Sequence, residues 1–270
     1  MPEAGSARLQ QMFATAKAEG RAVLLPYMTA GLPSPTESAA LFAAMAEAGA
    51  DGFEVGIPYA DPLMDGPVIQ AAGAAALAAG TSLDGSLEIV AEVTGATDKP
   101  VIVMTYVNPV LRIGPREFAR RVAAAGACGI IVADLPADEA ADIAAAAAAE
   151  GLGMVLFAAP TTDDARLESI AAAKPVFVYG IADLGVTGVR QHASGRAAEL
   201  AARVKQITDV PLVLGVGIST PDQAAAAAAV ADGIIVGSAL VKLVLDAKDA
   251  TTAAESLSAA VAELARAVGK

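Results

Sequence analysis

Two carboxyl groups stand out in the stretch GFEVGIPYADPLMDGP: Glu54, enclosed by apolar neighbours, and Asp65, in the Pro- and Gly-rich loop that follows. Burying a carboxylate without a partner is costly and raises its pKa, so Glu54 reads as a proton donor unless a neighbouring backbone group or tyrosine satisfies it structurally. Asp61 and Asp65 make turns or, placed across a pocket from Glu54, supply the ionised half of an acid/base pair with separated pKa values. Other reactive groups are scarce. His192 is the only histidine and Cys128 the only cysteine, which excludes multi-histidine zinc sites, CxxC units and an internal disulfide. His192 ends a long glycine-rich loop and reads as a surface residue rather than a base. Lys99 and Lys174 precede apolar runs instead of following them, which argues against Schiff-base chemistry.

A second group of residues suits an anion. Gly215-Val216-Gly217-Ile218-Ser219-Thr220 and Val236-Gly237-Ser238 each end an apolar run and lead into a helical pattern. Glycine lets backbone approach a ligand closely, and the free N–H groups of a helix start favour negative charge; either pair alone could equally be a tight turn. Neither is a dinucleotide fingerprint or a Walker loop. Gly188, in GIADLGVTGVRQHASG, offers a further N–H within a segment that reads as a lid. Tyr106 and Tyr179 close two of the apolar runs and either reach the pocket floor or pack in the core.

These groups need a scaffold, and the chain's periodicity specifies one. Eight apolar runs begin at Val23, Gly52, Val101, Gly129, Met154, Val176, Pro211 and Gly233. None alternates apolar with polar, the mark of parallel strands covered on both faces, and an Ala/Leu-rich helical pattern fills each interval. The fold class expected is α/β, a single (β/α)8 TIM barrel with extra short helices, rather than an open doubly wound sheet. One domain is expected over 1–270, with an N-terminal helix at about 3–19 and the barrel at about 22–268. Ser34-Pro35-Thr36-Glu37 predicts a capping box, Pro115 and Thr220-Pro221-Asp222-Gln223 open further helices, and an extra helix is expected near Val68–Ala79. In such barrels chemistry sits at the C-terminal strand ends, where Glu54, Asp65 and the glycine pairs fall.

Composition narrows the partners. Thirty acidic against eighteen basic residues give a net charge of −12, which excludes nucleic acid and anionic membranes. No apolar leader segment precedes the amphipathic N-terminal stretch and no run is long enough to span a bilayer, so a cytoplasmic location is expected.

Taken in order, FEVGIPYADPLMDGPVIQ, MTYVNP, ADLP, GVTG, GVGIST and VGSALVK closely resemble the tryptophan synthase α subunit family from Pro26 to about Lys242. The resemblance implies a TIM barrel and the retro-aldol cleavage of indole-3-glycerol phosphate to indole and glyceraldehyde 3-phosphate. It implies Glu54 as the proton-transferring residue and Asp65 as the carboxylate on the indole N–H. Gly188, Gly217, Gly237 and Ser238 would bind phosphate, Tyr179 and Thr187 would position the carboxylates, and Tyr27 and Tyr106 would border the indole. It implies no metal and no cofactor in this chain, pyridoxal phosphate residing in a partner β subunit of an αββα complex. Pro58, Asp61, Asn108, Pro109 and Asp134 would form the face that meets it. Ala182, Asp183-Leu184 and Leu32 depart from the family pattern, and the departure at Ala182 bears on lid closure. The alternatives are a free-standing lyase of the same chemistry, a sugar-phosphate isomerase of the phosphate-binding barrels, or a subunit that only activates its partner; intact Glu54 and Asp65 speak against the last.

Overall fold

The computed structural model describes residues 4–181, 190–215 and 217–269, and only the backbone of 190–194. Helix α1 (Gly5–Ala18) precedes strand β1 (Val23–Thr29), which leads through α2 (Ser38–Glu47) to β2 (Phe53–Gly56). Two helices, α3 (Pro67–Ala78) and α4 (Leu83–Ala96), fill the longest interval before β3 (Val101–Thr105), as its length predicted. Then come α5 (Val107–Ile113), α6 (Pro115–Ala124), β4 (Gly129–Val132), α7 (Ala141–Ala149), β5 (Gly153–Ala158), α8 (Asp164–Ala172) and β6 (Phe177–Ile181). The chain continues through α9 (Arg190–Ile207), β7 (Leu212–Gly215), α10 (Pro221–Ala228), β8 (Gly233–Val236), α11 (Ser238–Asp246) and α12 (Ala250–Ala267).

The eight strands close in sequence order into an all-parallel barrel, β8 pairing back onto β1. All residues of β1, β2, β4, β7 and β8 are buried, which explains the missing alternation: one face fills the barrel and the other meets helices. Register sets which side chains share the interior. Tyr27 pairs with Glu54, Glu54 with Ile102, and Phe157 with Tyr179.

Helix starts follow local chemistry, with one exception. Thr220 and Gln223 form the expected capping box on α10, and Pro115 opens α6 behind Gly114, whose φ of 88° suits glycine. The box expected at Ser34 does not form. Its hydroxyl turns to the Glu37 carboxylate (2.5 Å), its carbonyl accepts from Glu37 and Ser38, and α2 begins only at Ser38. There the buried Ser38 hydroxyl accepts the Gly31 N–H (3.1 Å).

At the N-terminal end of the barrel, α1 lies beneath the strands with Leu9, Phe13 and Ala16 buried. Gly5 seats it: a Cβ there would stand 2.6 Å from the backbone of Cys128, which is itself buried. Nearby, Asp51 Oδ2 accepts from the Leu24 N–H (2.9 Å) and from Arg21 Nη1 (3.0 Å), both side chains being about nine-tenths buried. Replacing Asp51 by Ala strips the Leu24 amide of its acceptor and leaves the guanidinium only Glu19 Oε2 (2.6 Å) and the Ala22 carbonyl (3.3 Å). Asp51→Ala should lower unfolding stability by about 3 kcal/mol in urea titrations; a loss below about 0.5 kcal/mol, the range of ordinary surface changes, would show the pair to be a spectator.

Candidate active site

A cavity of about 390 Å³ opens at the C-terminal strand ends, lined by Glu54 and Asp65 among otherwise mainly apolar and glycine residues. Glu54 is 2% exposed, and its Oε2 has no hydrogen-bond partner among the described residues. Burial, followed by the charge of Asp65, pushes its carboxyl up to about 8. It is therefore a neutral acid at pH 7, an effect of dry surroundings more than of charge repulsion.

Asp65 reaches the cavity from the loop after β2, and that loop is clamped. The Asp65 N–H donates to the Pro62 carbonyl (3.0 Å), Gln70 Nε2 of α3 donates to the Asp65 carbonyl (2.8 Å), and the Met64 N–H donates to the Tyr106 hydroxyl (3.2 Å). Burial raises the Asp65 carboxyl, while the Tyr106 hydroxyl facing it draws it back down. The Tyr106 ring stacks on Tyr59 with centroids 5.0 Å apart. Tyr106 thus follows β3 rather than closing it and braces the Asp65 loop from outside the cavity lining; of its two expected roles, it takes the packed one with a satisfied hydroxyl.

Two tyrosines do line the cavity, and glycine makes room for each. A Cβ on Gly56 would stand 2.2 Å from the Tyr27 hydroxyl, and one on Gly215 would stand 2.3 Å from that of Tyr179. Tyr27 is buried and Tyr179 half-buried, and loss of water around each phenol raises it above the ordinary value and keeps it neutral. Phe157 tilts against Tyr179 (5.1 Å) and, with Met104, Ile69, Ile181 and Ile235, supplies an apolar lining that motif reading overlooked. The signal was present in strand phase: Met104 and Phe157 lie at inward positions near the ends of β3 and β5.

Across the cavity lie Gly217, at φ 78°, Ser219, Gly237 and Ser238. The two nearby helix starts differ. On α10 the Gln223 N–H donates to Thr220 Oγ1 (3.3 Å), while Gln223 Oε1 accepts from the N–H groups of Ser219 (2.8 Å) and Thr220 (3.2 Å). On α11 no described side chain caps the start and no acidic residue occupies the first turn, and Ser238 and Ala239 line the cavity. An uncapped helix start of this kind favours an anion. Thr187 and Gly188, with Ala182, Asp183 and Leu184, lie outside the described residues, as does the side chain of His192. A larger hollow of about 1050 Å³ at the opposite barrel end has exposed Lys17 and Lys174 on its wall and neither cavity carboxyl.

Of the expected partner face, Asp61 and Asn108 are exposed, Pro109 and Asp134 half-buried, and Pro58 buried. Asn108 Nδ2 donates to the Tyr59 hydroxyl (2.9 Å), and Asp134 Oδ1 accepts the Val107 N–H (2.7 Å) at the start of α5. Close to them in the chain are exposed apolar side chains that sequence reading passed over, Leu63, 80% exposed, and Leu111, while the exposed Met64 lines the cavity. Among the described residues no cluster of His, Cys, Asp and Glu suits a metal, and no helix is long and apolar enough to cross a membrane.

The buried acid makes stability depend on pH. The folded chain holds the Glu54 proton up to about pH 8, whereas the unfolded chain releases it near the ordinary value of 4.5. Since the folded state binds more protons over that window, stability falls as pH rises through it. Glu54→Gln should abolish this slope, melting with wild type near pH 4.5 and at higher temperature near pH 8. Parallel melting curves for the two proteins across that window would refute the burial argument.

Comparison with known proteins gives the same family throughout. A family model described as tryptophan synthase alpha chain matches residues 13–269. The tryptophan synthase alpha chain of Salinispora arenicola is 48% identical, covering 95% of this chain and 96% of the relative, and that of Streptomyces avermitilis is 44% identical, covering 96% and 94%. Among solved structures, tryptophan synthase of Mycobacterium tuberculosis superposes with a TM-score of 0.87 at 41% identity, covering 97% of this chain and 98% of that one. Tryptophan synthase subunit alpha from Legionella pneumophila gives 0.87 at 33% identity, over 97% and 98%.

Proposed function

The chain belongs to the tryptophan synthase alpha chain family, and on that premise we propose which of its residues carry the family's reaction. It is a carbon–carbon lyase that cleaves indole-3-glycerol phosphate to indole and glyceraldehyde 3-phosphate in tryptophan biosynthesis. The observation that carries the assignment is the buried Glu54 carboxyl, whose Oε2 has no partner among the described residues, sharing one small cavity with Asp65.

Glu54 begins protonated and gives its proton to the indole carbon that bears the glycerol chain. Positive charge then develops on the ring nitrogen, where the Asp65 carboxylate accepts the N–H and stabilises it; a dry, fixed site strengthens this effect. Glu54, now a carboxylate, takes the proton from the hydroxyl on the adjacent chain carbon. The bond between that carbon and the ring breaks, its electrons restore the aromatic indole, and the oxygen becomes the aldehyde carbonyl of glyceraldehyde 3-phosphate. Glu54 ends protonated as it began, so the cycle closes with the chain's own carboxyls and calls for no cofactor in this subunit.

Gly217, Gly237, Ser238 and the α11 amides hold the phosphate, with Gly188 contributing from the loop after β6, while Thr187 of that loop helps position the carboxylates. Tyr179 keeps Glu54 in place beside Gly215. Indole passes to a pyridoxal-phosphate β subunit in an αββα complex, and the soluble partners meet in the cytoplasm. The exposed Leu63 and Leu111 favour this reading over a free-standing lyase, because apolar side chains flanking Asp61, Asn108, Pro109 and Asp134 give a partner something to cover. Pro58, buried beneath them, shapes that face from below.

Glu54→Gln and Asp65→Asn should each reduce indole release by about 10²–10⁴-fold, the usual worth of a positioned proton-transfer group. Glycerol 3-phosphate titrations should show unchanged affinity. Turnover near wild type in either variant would overturn the assignment. For the wild-type chain, kcat/KM should decline as pH rises through about 8, where Glu54 loses its starting proton. A rate that keeps rising past that point would mean that Glu54 starts as the base.

A further inference from the structure

Tyr27 lies across three strands. Its Cδ1, Cβ and Cγ come 3.4–3.6 Å from where a Cβ on Gly237 would stand, and its hydroxyl comes 2.2 Å from the same point on Gly56. The ring therefore runs from the end of β8, where the open start of α11 begins, to the end of β2, two residues above Glu54. Under the function proposed above, on which this inference rests, that is the course of the substrate chain from phosphate to reacting carbon.

At the β2 end the Tyr27 hydroxyl lies 3.2 Å from Thr29 Oγ1, and both groups are buried. Two hydroxyls carry two protons, and the bond between them uses one. The hydrogen bonds of the described residues give the other no acceptor. Glu54 Oε2, on the residue in register with Tyr27, is a buried acceptor that has no donor among the described residues. Leaving either group unsatisfied is costly, and a hydroxyl can accept from one while donating to the other. Asp65 is oriented by its own loop and by Tyr106, and the Tyr179 hydroxyl lies over Gly215, so neither fills this gap.

We propose that the Tyr27–Thr29 hydroxyl pair recognises the substrate hydroxyl on the carbon attached to the indole ring, donating to its oxygen while Glu54 accepts its proton. Tyr27 then reads the glycerol chain rather than the indole. As that O–H bond breaks, with its proton passing to Glu54 and the ring–carbon bond electrons passing to the ring, the retained donor stabilises the oxygen on its way to the aldehyde carbonyl.

The test compares Tyr27→Phe with wild type, each assayed with its β partner, using two ligands. One is indole-3-glycerol phosphate; the other is an analogue with the same ring and phosphate but with hydrogen in place of the chain hydroxyls. We expect kcat/KM for the substrate to fall roughly 10- to 100-fold while the analogue's Kd stays within about twofold, because only the first ligand carries the group being read. Unchanged kcat/KM, or analogue affinity falling in step with it, overturns the proposal, the second result exposing a packing role. Thr29→Ser, which keeps a hydroxyl, should retain markedly more activity than Thr29→Val; equal rates for these two also overturn it. Wild-type cleavage with an unaffected Tyr27→Phe leaves the Glu54 and Asp65 assignment standing, whereas failure of wild type to release indole refutes that assignment instead.

Discussion

A carboxylic acid held inside the barrel mouth, one oxygen of which has no hydrogen-bond partner among the described residues, is the constraint around which the other features are arranged. It survives there because the surroundings are dry and apolar, which keeps the proton on the acid and avoids a buried charge. Ile102 beside it in register, and Met104 and Phe157 above, supply the apolar surface. Gly56 and Gly215 give up their side chains so that two phenols can close the wall. The second carboxyl is kept on a loop, where its environment is wetter and its backbone is tied down by Gln70 and Tyr106. Two carboxyls on rigid supports but in different media can take opposite protonation states, which a symmetrical pair could not do.

The acidic total of the chain looks ill-suited to a phosphorylated substrate, yet net charge acts over the whole surface while recognition is local. The contrast between two adjacent helix starts shows how. On α10 a threonine and a glutamine consume free amides; on α11 no described side chain caps the start. A helix start left open beside glycine needs no cationic side chain to attract an anion.

Much of the fold could be read from the chain because burial on both faces leaves a strong mark: each of the eight apolar runs became a strand, and β1 through β8 close in that order. Glu54 was legible for the same reason, a charge-bearing side chain in an otherwise apolar run. What could not be read depends on contacts between distant segments. Even the Ser34 box, a local pattern, fails, its hydroxyl turning to the Glu37 carboxylate while α2 begins only at Ser38. Tyr106 braces a loop instead of lining a floor because Tyr59, on another element, stacks against it. The exposed Leu63 and Leu111 look like any core leucine until the fold shows them facing outward.

The helix beneath the barrel gives the molecule one more property. Gly5 of α1 lies directly on Cys128, the only cysteine in the chain, and both the contact and the burial of that thiol depend on α1 staying docked. The thiol is thereby a natural reporter: a sulfhydryl reagent reaches it only during excursions in which the helix lifts away or the barrel opens. The speed at which such a reagent consumes Cys128 counts those excursions, giving a readout of local opening at the end of the molecule farthest from its chemistry.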